Sequence, residues 1–404
     1  MVRLRSVRTV LFVSNLFPRP DAPRNGMFNL SFVGAMQAQL ALAGGAVNVL
    51  VPVPEWRPWR WRLIRRWAPP AEVTAIVGKH LRVQYVPCFY LPLIGRSLSF
   101  LWYRFAFCRV MNFTRGSDAV VASWLYPDAL AAVWLASRLG KPCWIRLHGS
   151  DRFHLDSPIR GRLCRRVLSN AAGVLVNADF MKNELVRRGI QDACISVVPN
   201  GVDRTVFHPD QNQTRDTGII LWVGNMVAIK RPDLALRAFA GLTRIHADGY
   251  PTPAGTRLQL VMVGAGPMRR RLERLARQLA IENQVTFSGC LSRGEVASWM
   301  RRSGLLLLTS RSEGMPNVVI EALACGTPVV ATSVGDVPEI VVDDVNGFVV
   351  RANDETLPDD VTQALMKALH ASWDRNAVQA SVAVHDWPRA AECVLSIISP
   401  ENAD

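Results

Sequence analysis

Two carboxylates, Glu313 and Glu321, have the types and spacing to do chemistry, in the stretch LLLLTSRSEGMPNVVIEALACGTPVVAT from Leu305 to Thr332. Leu305 to Leu308 is an apolar run of strand length, and Thr309 to Ser312 carry the chain into a polar turn punctuated by Gly314 and Pro316. Asn317 is set to cap a helix from Val318 to Cys325, Gly326 stands where a left-handed C-terminal residue belongs, and Val329 to Thr332 is a second buried strand. This predicts a βαβ unit with Glu313 at the carboxyl end of its first strand, the end at which open parallel sheets bind ligands. Glu321 falls about one turn into the helix, near unpaired N–H groups that favour anions. A ligand carrying both phosphate and hydroxyls suits the pair; a solvated loop acid beside an exposed helix acid is the plainer reading.

Other candidates share that placement. After the run Ile219 to Val223 come Gly224, Asn225 and, just before a helix from Asp233, Lys230 and Arg231. There a cation and backbone amides can converge on a phosphate, or the two cations are simply solvated. His148 follows the run Cys143 to Leu147 and precedes Gly149. Gly26 closes a loop, Asn15 to Asn25, that holds three prolines, and either admits a ligand close to the backbone or makes a plain turn. Gly264-Ala265-Gly266-Pro267 is a weak phosphate signal, because Arg269 stands where a dinucleotide fingerprint has its third glycine.

The elements that must hold these residues alternate. Thr9 to Ser14, Val47 to Val51, Ala119 to Ser123, Cys143 to Leu147, Gly173 to Asn177 and Ile195 to Pro199 read as buried strands. Helical patterns lie over Phe28 to Ala43, Asp128 to Leu139, Ile159 to Leu168 and Phe180 to Arg188. The turn Pro199-Asn200-Gly201-Val202-Asp203 ends that half, and the pattern restarts with strands at Ile219 to Val223, Leu258 to Val263 and Val285 to Phe287 and a helix over Arg293 to Arg302. Asp336 and Glu339 have capping-box spacing, and the tail with Trp373, Trp387, Val394, Ile397 and Ile398 reads as helices in need of a surface. The fold class is α/β with two Rossmann-like domains, predicted as 1–205, 206–380 and a terminal helix in 381–404.

Composition bounds the rest. A chain of 404 residues with 49% apolar and 20% charged residues is globular, which excludes a disordered protein. The net charge of +14 favours an anionic partner: nucleic acid, an acidic membrane surface or a phosphorylated substrate. Eight cysteines without a C-x-x-C pair read as reduced core residues of a cytosolic protein. The N-terminus reads as a first buried strand in preference to a secretory signal, and no run is long enough to predict a spanning helix. Residues 54 to 67, PEWRPWRWRLIRRW, hold four tryptophans and five arginines. As a helix after Pro58 they put Trp59, Leu63 and Trp67 on one face, and three readings stay open: an interfacial membrane segment built on Trp56, Trp59, Trp61, Trp67, Arg65 and Arg66, a nucleic-acid stacking surface, or a helix whose rings pack on the domain. Leu98 to Phe113 is a second aromatic and basic stretch.

Taken in order, His148-Gly149-Ser150-Asp151, Pro199 to Asp203, Val223-Gly224 with Lys230, Val263 to Pro267, and Glu313-Gly314 through Glu321 resemble the retaining nucleotide-sugar glycosyltransferases of family four. The resemblance spans essentially the whole chain and is strongest in its second half. It implies the glycosyltransferase B fold, two Rossmann-like domains facing each other across a cleft, the first for the acceptor and the second for the donor, with the helix around Trp387 crossing back onto the first. It assigns Glu321 to the donor ribose, Glu313 and the amides of Gly314, Met315 and Asn317 to the transferred sugar, Lys230 to the departing diphosphate, Gly26 to its approach and His148 to the sugar pocket. Gly224, Asn225, Arg231 and Gly264 complete the implied donor site. Asn225 stands where the family usually has an arginine, which leaves Arg231 to replace its charge. No D-x-D motif occurs, so neither metal nor cofactor is expected.

The expectation is a cytoplasmic enzyme, peripheral on the inner face of the membrane, that moves a sugar from a UDP- or GDP-sugar to a glycan or lipid-linked acceptor in envelope polysaccharide synthesis, with catalysis by Lys230, Glu313 and His148. No nucleic-acid partner is expected. An epimerase or glycosyl phosphorylase of the same fold, and a non-catalytic basic binding module, are the rivals.

Overall fold

Parallel strands buried on both faces must alternate their side chains between two cores, and every central strand of this protein does so. The computed structural model describes residues 7–78, 81–90, 98–210, 212–247, 257–351 and 354–399, and it divides into two units, Met1–Gly201 with Trp387–Asp404, and Val202–Asp386. The division falls after Gly201 where 205 was expected, and the terminal helix starts at Trp387.

The first unit holds seven parallel strands: β1 (Thr9–Val13), β2 (Ala46–Pro54), β3 (Arg82–Cys88), β4 (Ala119–Ser123), β5 (Cys143–Leu147), β6 (Gly173–Val176) and β7 (Ile195–Val197), in the order β3-β2-β1-β4-β5-β6-β7. Leu11, Val13, Val120, Ala122, Ile145 and Leu147 enter the core beneath the helices Ser99–Cys108, Leu130–Leu139 and Pro158–Ser169. Val10, Phe12, Ala119, Val121 and Trp144 enter the opposite core with Met27–Ala41 and the terminal helix Trp387–Ile398. That helix buries Trp387, Ala390, Ala391, Val394, Leu395 and Ile398, a three-and-four spacing that makes one apolar stripe. Its Trp387 ring lies 6.1 Å from Phe32.

The second unit has six parallel strands, β8 (Asp216–Val223), β9 (Gln259–Val263), β10 (Val285–Gly289), β11 (Ser303–Leu308), β12 (Val329–Thr332) and β13 (Gly347–Val350), ordered β10-β9-β8-β11-β12-β13. Leu305 and Leu307 face one core and Leu306 and Leu308 the other. In both sheets the order reverses beside the first strand, between β1 and β4 and between β8 and β11. Such reversals open a crevice at the carboxyl ends of the strands.

Several expectations need correction. Strand β3 was not anticipated: Pro87 interrupts its pattern, and proline is tolerated there because β3 is an edge. Asn317 is the first helical residue of Asn317–Ala324, with Pro316 at the cap position, although Gly326 does take the left-handed φ of 71°. Asp336 precedes the helix Val337–Ile340 without a side-chain cap bond. A capping box forms instead at Ser292 and Glu295. Leu98 to Phe113 is two helices, Ser99–Cys108 and Met111–Thr114. Four of the eight cysteines, Cys108, Cys194, Cys290 and Cys393, are exposed, so only half are core residues.

Candidate functional site

In the second unit the chain leaves β8 through Gly224 and Asn225 to Lys230, and leaves β11 through Thr309 and Ser310 to Glu313. These two exits are stitched together. Thr309 Oγ1 donates to the carbonyls of Lys230 (3.0 Å) and Arg231 (2.9 Å), accepts from Trp222 Nε1 (3.1 Å), and the Arg311 N–H donates to the Ile229 carbonyl (2.8 Å). The result brings Lys230 Nζ to Glu313 Oε1 at 2.5 Å, with Ser310 Oγ donating to the same oxygen at 2.6 Å. Glu313 is mostly buried and Lys230 half-buried. Arg231, in a left-handed conformation, turns its guanidinium to Asp354 (2.9 Å), which also takes Arg311. It therefore pairs away from the Lys230 and Glu313 cluster. Asn225 is exposed.

The loops around this cluster require glycine. A Cβ on Gly264, whose φ is +134°, would lie 1.9 Å from the Gly224 carbonyl oxygen, so these two glycines hold the ends of β8 and β9 together. The Gly314 carbonyl accepts from the Asp336 N–H (3.0 Å), while the N–H groups of Gly314 and Met315 donate to nothing among the described residues. Gly314, Met315 and Asn317 are all half-exposed at the helix start. The Glu321 carboxyl, on the same helix, has no side-chain hydrogen bond among the described residues, and it is pushed up to about 7 by burial, opposed by the Arg293 charge and reinforced by Asp203. Arg293 and Asp203 are themselves paired at 3.1 Å. Nothing in the spacing of these two residues, far apart in the chain, signals that they meet near Glu321.

In the first unit the β1 and β4 exits carry a buried polar network. His148 Nε2 lies 2.9 Å from Ser123 Oγ, which donates to Asn29 Oδ1 (2.9 Å), and Asn29 Nδ2 donates to the Leu16 carbonyl (2.8 Å). Burial, with the Arg146 charge, holds the His148 imidazole well below its ordinary value, so it is neutral. Its ring meets Phe28 edge-on at 4.9 Å and stacks on Trp124 at 5.7 Å. Asp151 is fully buried, accepts the His148 and Leu125 N–H groups at 2.8 and 2.9 Å, and has its carboxyl raised to about 7 by burial. Trp124 adopts φ 96° and ψ 127°, a region that costs a bulky residue about 1–3 kcal/mol. Gly26 takes φ +67° ahead of Met27–Ala41, and a Cβ there would lie 2.1 Å from the Leu16 carbonyl oxygen, so the loop itself demands glycine whether or not a ligand approaches.

Asn200 has a structural duty. Arg146, a β5 residue only 1% exposed, donates to Asn200 Oδ1 at 2.6 Å and lies over the rings of Phe32 (4.2 Å) and Trp387 (5.7 Å). Burial without a carboxylate lowers its pKa to about 9.

The tryptophan and arginine segment splits by role. Glu55, 5% exposed, takes Arg57 at 2.8 Å and Arg60 at 2.6 Å, which holds its carboxyl below the usual range. Trp61 donates to the Glu55 carbonyl (3.2 Å) and packs on Phe89, and Trp67, beyond the helix Pro58–Ile64, packs on Tyr85 at 5.7 Å. Trp67 thus does not share a face with Trp59 and Leu63, which point outward with Trp56 at 69%, 57% and 52% exposure. Arg65 and Arg66 are exposed beside them. Phe89, Trp102 and Phe105 extend the apolar surface, with Arg109 over Phe105 at 4.6 Å. Among the described residues no helix is long and apolar enough to cross a membrane, and no cluster of His, Cys, Asp and Glu is arranged to hold a metal.

Comparison with known proteins matches residues 203–380 to the family described as Glycosyl transferases group 1, and residues 38–206 to the one described as Glycosyltransferase Family 4. An uncharacterized glycosyltransferase of Methanocaldococcus jannaschii is 26% identical over 68% of this chain and 72% of its own length. A D-inositol 3-phosphate glycosyltransferase of Mycolicibacterium paratuberculosis is 33% identical over 60% of this chain, and the match spans only 55% of that enzyme. Among solved structures, Anabaena HepE in complex with UDP-glucose superposes with a TM-score of 0.70 at 16% identity, covering 97% of this chain and 100% of its own. The lipopolysaccharide outer core galactosyltransferase WaaB, in its apo form, gives 0.66 at 18% identity over 96% and 99%. At these identities the likeness shows the fold.

Proposed function

The chain belongs to the group 1 glycosyltransferases and has the glycosyltransferase B fold, and from that premise we propose that it moves a sugar from a nucleotide diphosphate sugar, UDP- or GDP-linked, to a membrane-associated glycan or glycolipid, with retention of configuration. The observation that carries the donor reading is the cluster at the β8 and β11 exits: the Lys230 ammonium, the Glu313 carboxylate, the open N–H groups of Gly314 and Met315, and a second carboxylate, Glu321, on the short helix that follows. These match the parts of a nucleotide sugar. Glu321 accepts from the ribose hydroxyls, and Glu313 with the amides of Gly314, Met315 and Asn317 binds the hydroxyls of the transferred sugar. Hydrogen bonds to ionised groups contribute about 1.5–3 kcal/mol each.

Lys230 is the group that stabilises charge on the leaving diphosphate, and fixed donors aimed at developing charge are the strongest catalytic device available without a metal. The Glu313 carboxylate holds the ammonium in place. With Arg231 drawn to Asp354, the neutral Asn225 leaves Lys230 as the principal cation of the cluster. From the first unit, Gly26 and the neutral His148 are assigned to the diphosphate and to the sugar. The departing phosphate itself takes the acceptor proton on the face it leaves, so no protein nucleophile is needed. The exposed Trp56, Trp59 and Leu63 with Arg65 and Arg66 support a peripheral seat on an anionic membrane, with an envelope glycan as product.

The test is sugar transfer from a panel of UDP- and GDP-sugars by wild type, Lys230→Ala and Glu321→Ala. Transfer by wild type with a loss of roughly 100-fold or more in Lys230→Ala is expected; full activity in both variants would sink the assignment.

A further inference from the structure

We propose that Trp124 is a carbohydrate platform, its half-exposed indole ring and unused N–H receiving a pyranose ring of the acceptor beside His148. The proposal rests on the glycosyltransferase reading above. Trp124 is the first residue past β4, at the point where the strand order of the first sheet reverses. Its positive φ is one that glycine adopts freely and a bulky side chain does not. Surrounding bonds hold it there: its N–H donates to the Arg146 carbonyl at 3.0 Å, its own carbonyl accepts from the Ala129 N–H at 3.1 Å, and the next N–H, of Leu125, donates to Asp151 Oδ1 at 2.9 Å. Glycine would meet the same backbone demand without strain, so the indole itself needs a reason to be present.

Packing does not supply it. Trp124 is half-exposed and belongs to neither core of its unit, whereas Trp144 and Trp387 of the same unit are buried. One contact orients the ring, the stack on His148 at an interplanar angle of 29°. The indole N–H has no acceptor among the described residues, and its atom is not sealed from solvent. An oriented apolar ring face with one unused donor at its edge complements a pyranose, whose C–H face is apolar and whose hydroxyls radiate from the rim. An acyl chain would cover the ring but leave its donor unused.

The experiment labels the tryptophans with fluorine and assigns the Trp124 resonance by its loss in Trp124→Phe. Methyl glycosides of glucose, galactose and mannose are titrated in the presence of UDP. The Trp124 resonance is expected to shift saturably while the exposed Trp56 and Trp59 resonances stay in place. Trp124→Gly relieves the backbone, so it should melt no lower than wild type, and yet bind the responsive glycoside roughly tenfold more weakly by saturation transfer. Trp124→Phe, which keeps a ring, should lose less. A silent Trp124 resonance with every glycoside, or equal binding by Trp124→Gly, overturns the platform. Thermal stabilisation by UDP on the same samples separates the two ideas: stabilisation with a silent Trp124 refutes the platform alone, and neither response refutes the donor reading with it.

Discussion

Glu321 makes the donor reading measurable through pH. Its carboxyl, raised to about 7 by burial, is substantially protonated in the empty protein at neutral pH. A ribose diol is best bound by the ionised form, which accepts from both hydroxyls. If only that form binds well, affinity follows the ionised fraction, which rises from roughly one-tenth at about pH 6 to roughly nine-tenths at about pH 8. Nucleotide-sugar affinity should therefore increase about tenfold over that interval, equivalent to about 1.4 kcal/mol. The ligand must be the intact UDP- or GDP-sugar, because the terminal phosphate of a free nucleoside diphosphate titrates in the same range. The assay is calorimetric titration across the interval with wild type and Glu321→Gln. The glutamine variant should bind more weakly above neutrality and show no slope. A flat wild-type profile, or an undiminished slope in Glu321→Gln, refutes the reasoning. Stability of the empty protein should move the opposite way. The folded state binds the extra proton between the ordinary carboxylate value and about 7, so stability falls as pH rises through that window, by about 3 kcal/mol from this residue. Glu321→Gln should remove that fall.

Gly264→Ala, whose new methyl meets the Gly224 carbonyl, should destabilise the second unit by about 2–4 kcal/mol and weaken nucleotide binding, as denaturant unfolding with and without UDP will report. Arg146→Ala removes the bond to Asn200 and the cation over Trp387, so a loss of about 2–4 kcal/mol and faster proteolysis of the terminal helix are expected; unchanged protection would argue against Arg146 holding that helix. Replacing Trp59 and Leu63 by serine should cut sedimentation with anionic vesicles roughly tenfold while leaving the melting temperature unchanged. Trp61→Ser and Trp67→Ser, which remove inward contacts, should instead lower the melting temperature, and equal effects of all these variants would reject the division of roles.

The strands were legible because parallel strands buried on both faces are uninterrupted apolar runs, and the runs from Ala119, Cys143 and Val329 begin and end where they were expected. Strand β3 escaped because its pattern is broken at Pro87. Glu313 and Glu321 were legible as one unit because a βαβ stretch keeps loop and helix contiguous in sequence. Trp124 was not, since SWLYPD looks like an ordinary strand exit and a positive φ at tryptophan has no compositional mark. Arg146 was hidden for a related reason: an arginine inside a buried strand reads as an interruption until its ring partners arrive from Phe32 and Trp387.

By itself, then, the sequence determined that this is a two-unit α/β protein, where most of its central strands lie and which residues follow them, because hydrophobic periodicity and glycine punctuation are local and act through the backbone. Tertiary structure alone decided that Lys230 meets Glu313 while Arg231 turns to Asp354, that Asp203 and Arg293 tune Glu321, and which tryptophans face outward. Those choices depend on distances between residues remote in the chain, and on burial that sets both the charge of a carboxyl and the face an aromatic ring presents, neither of which a spacing pattern encodes.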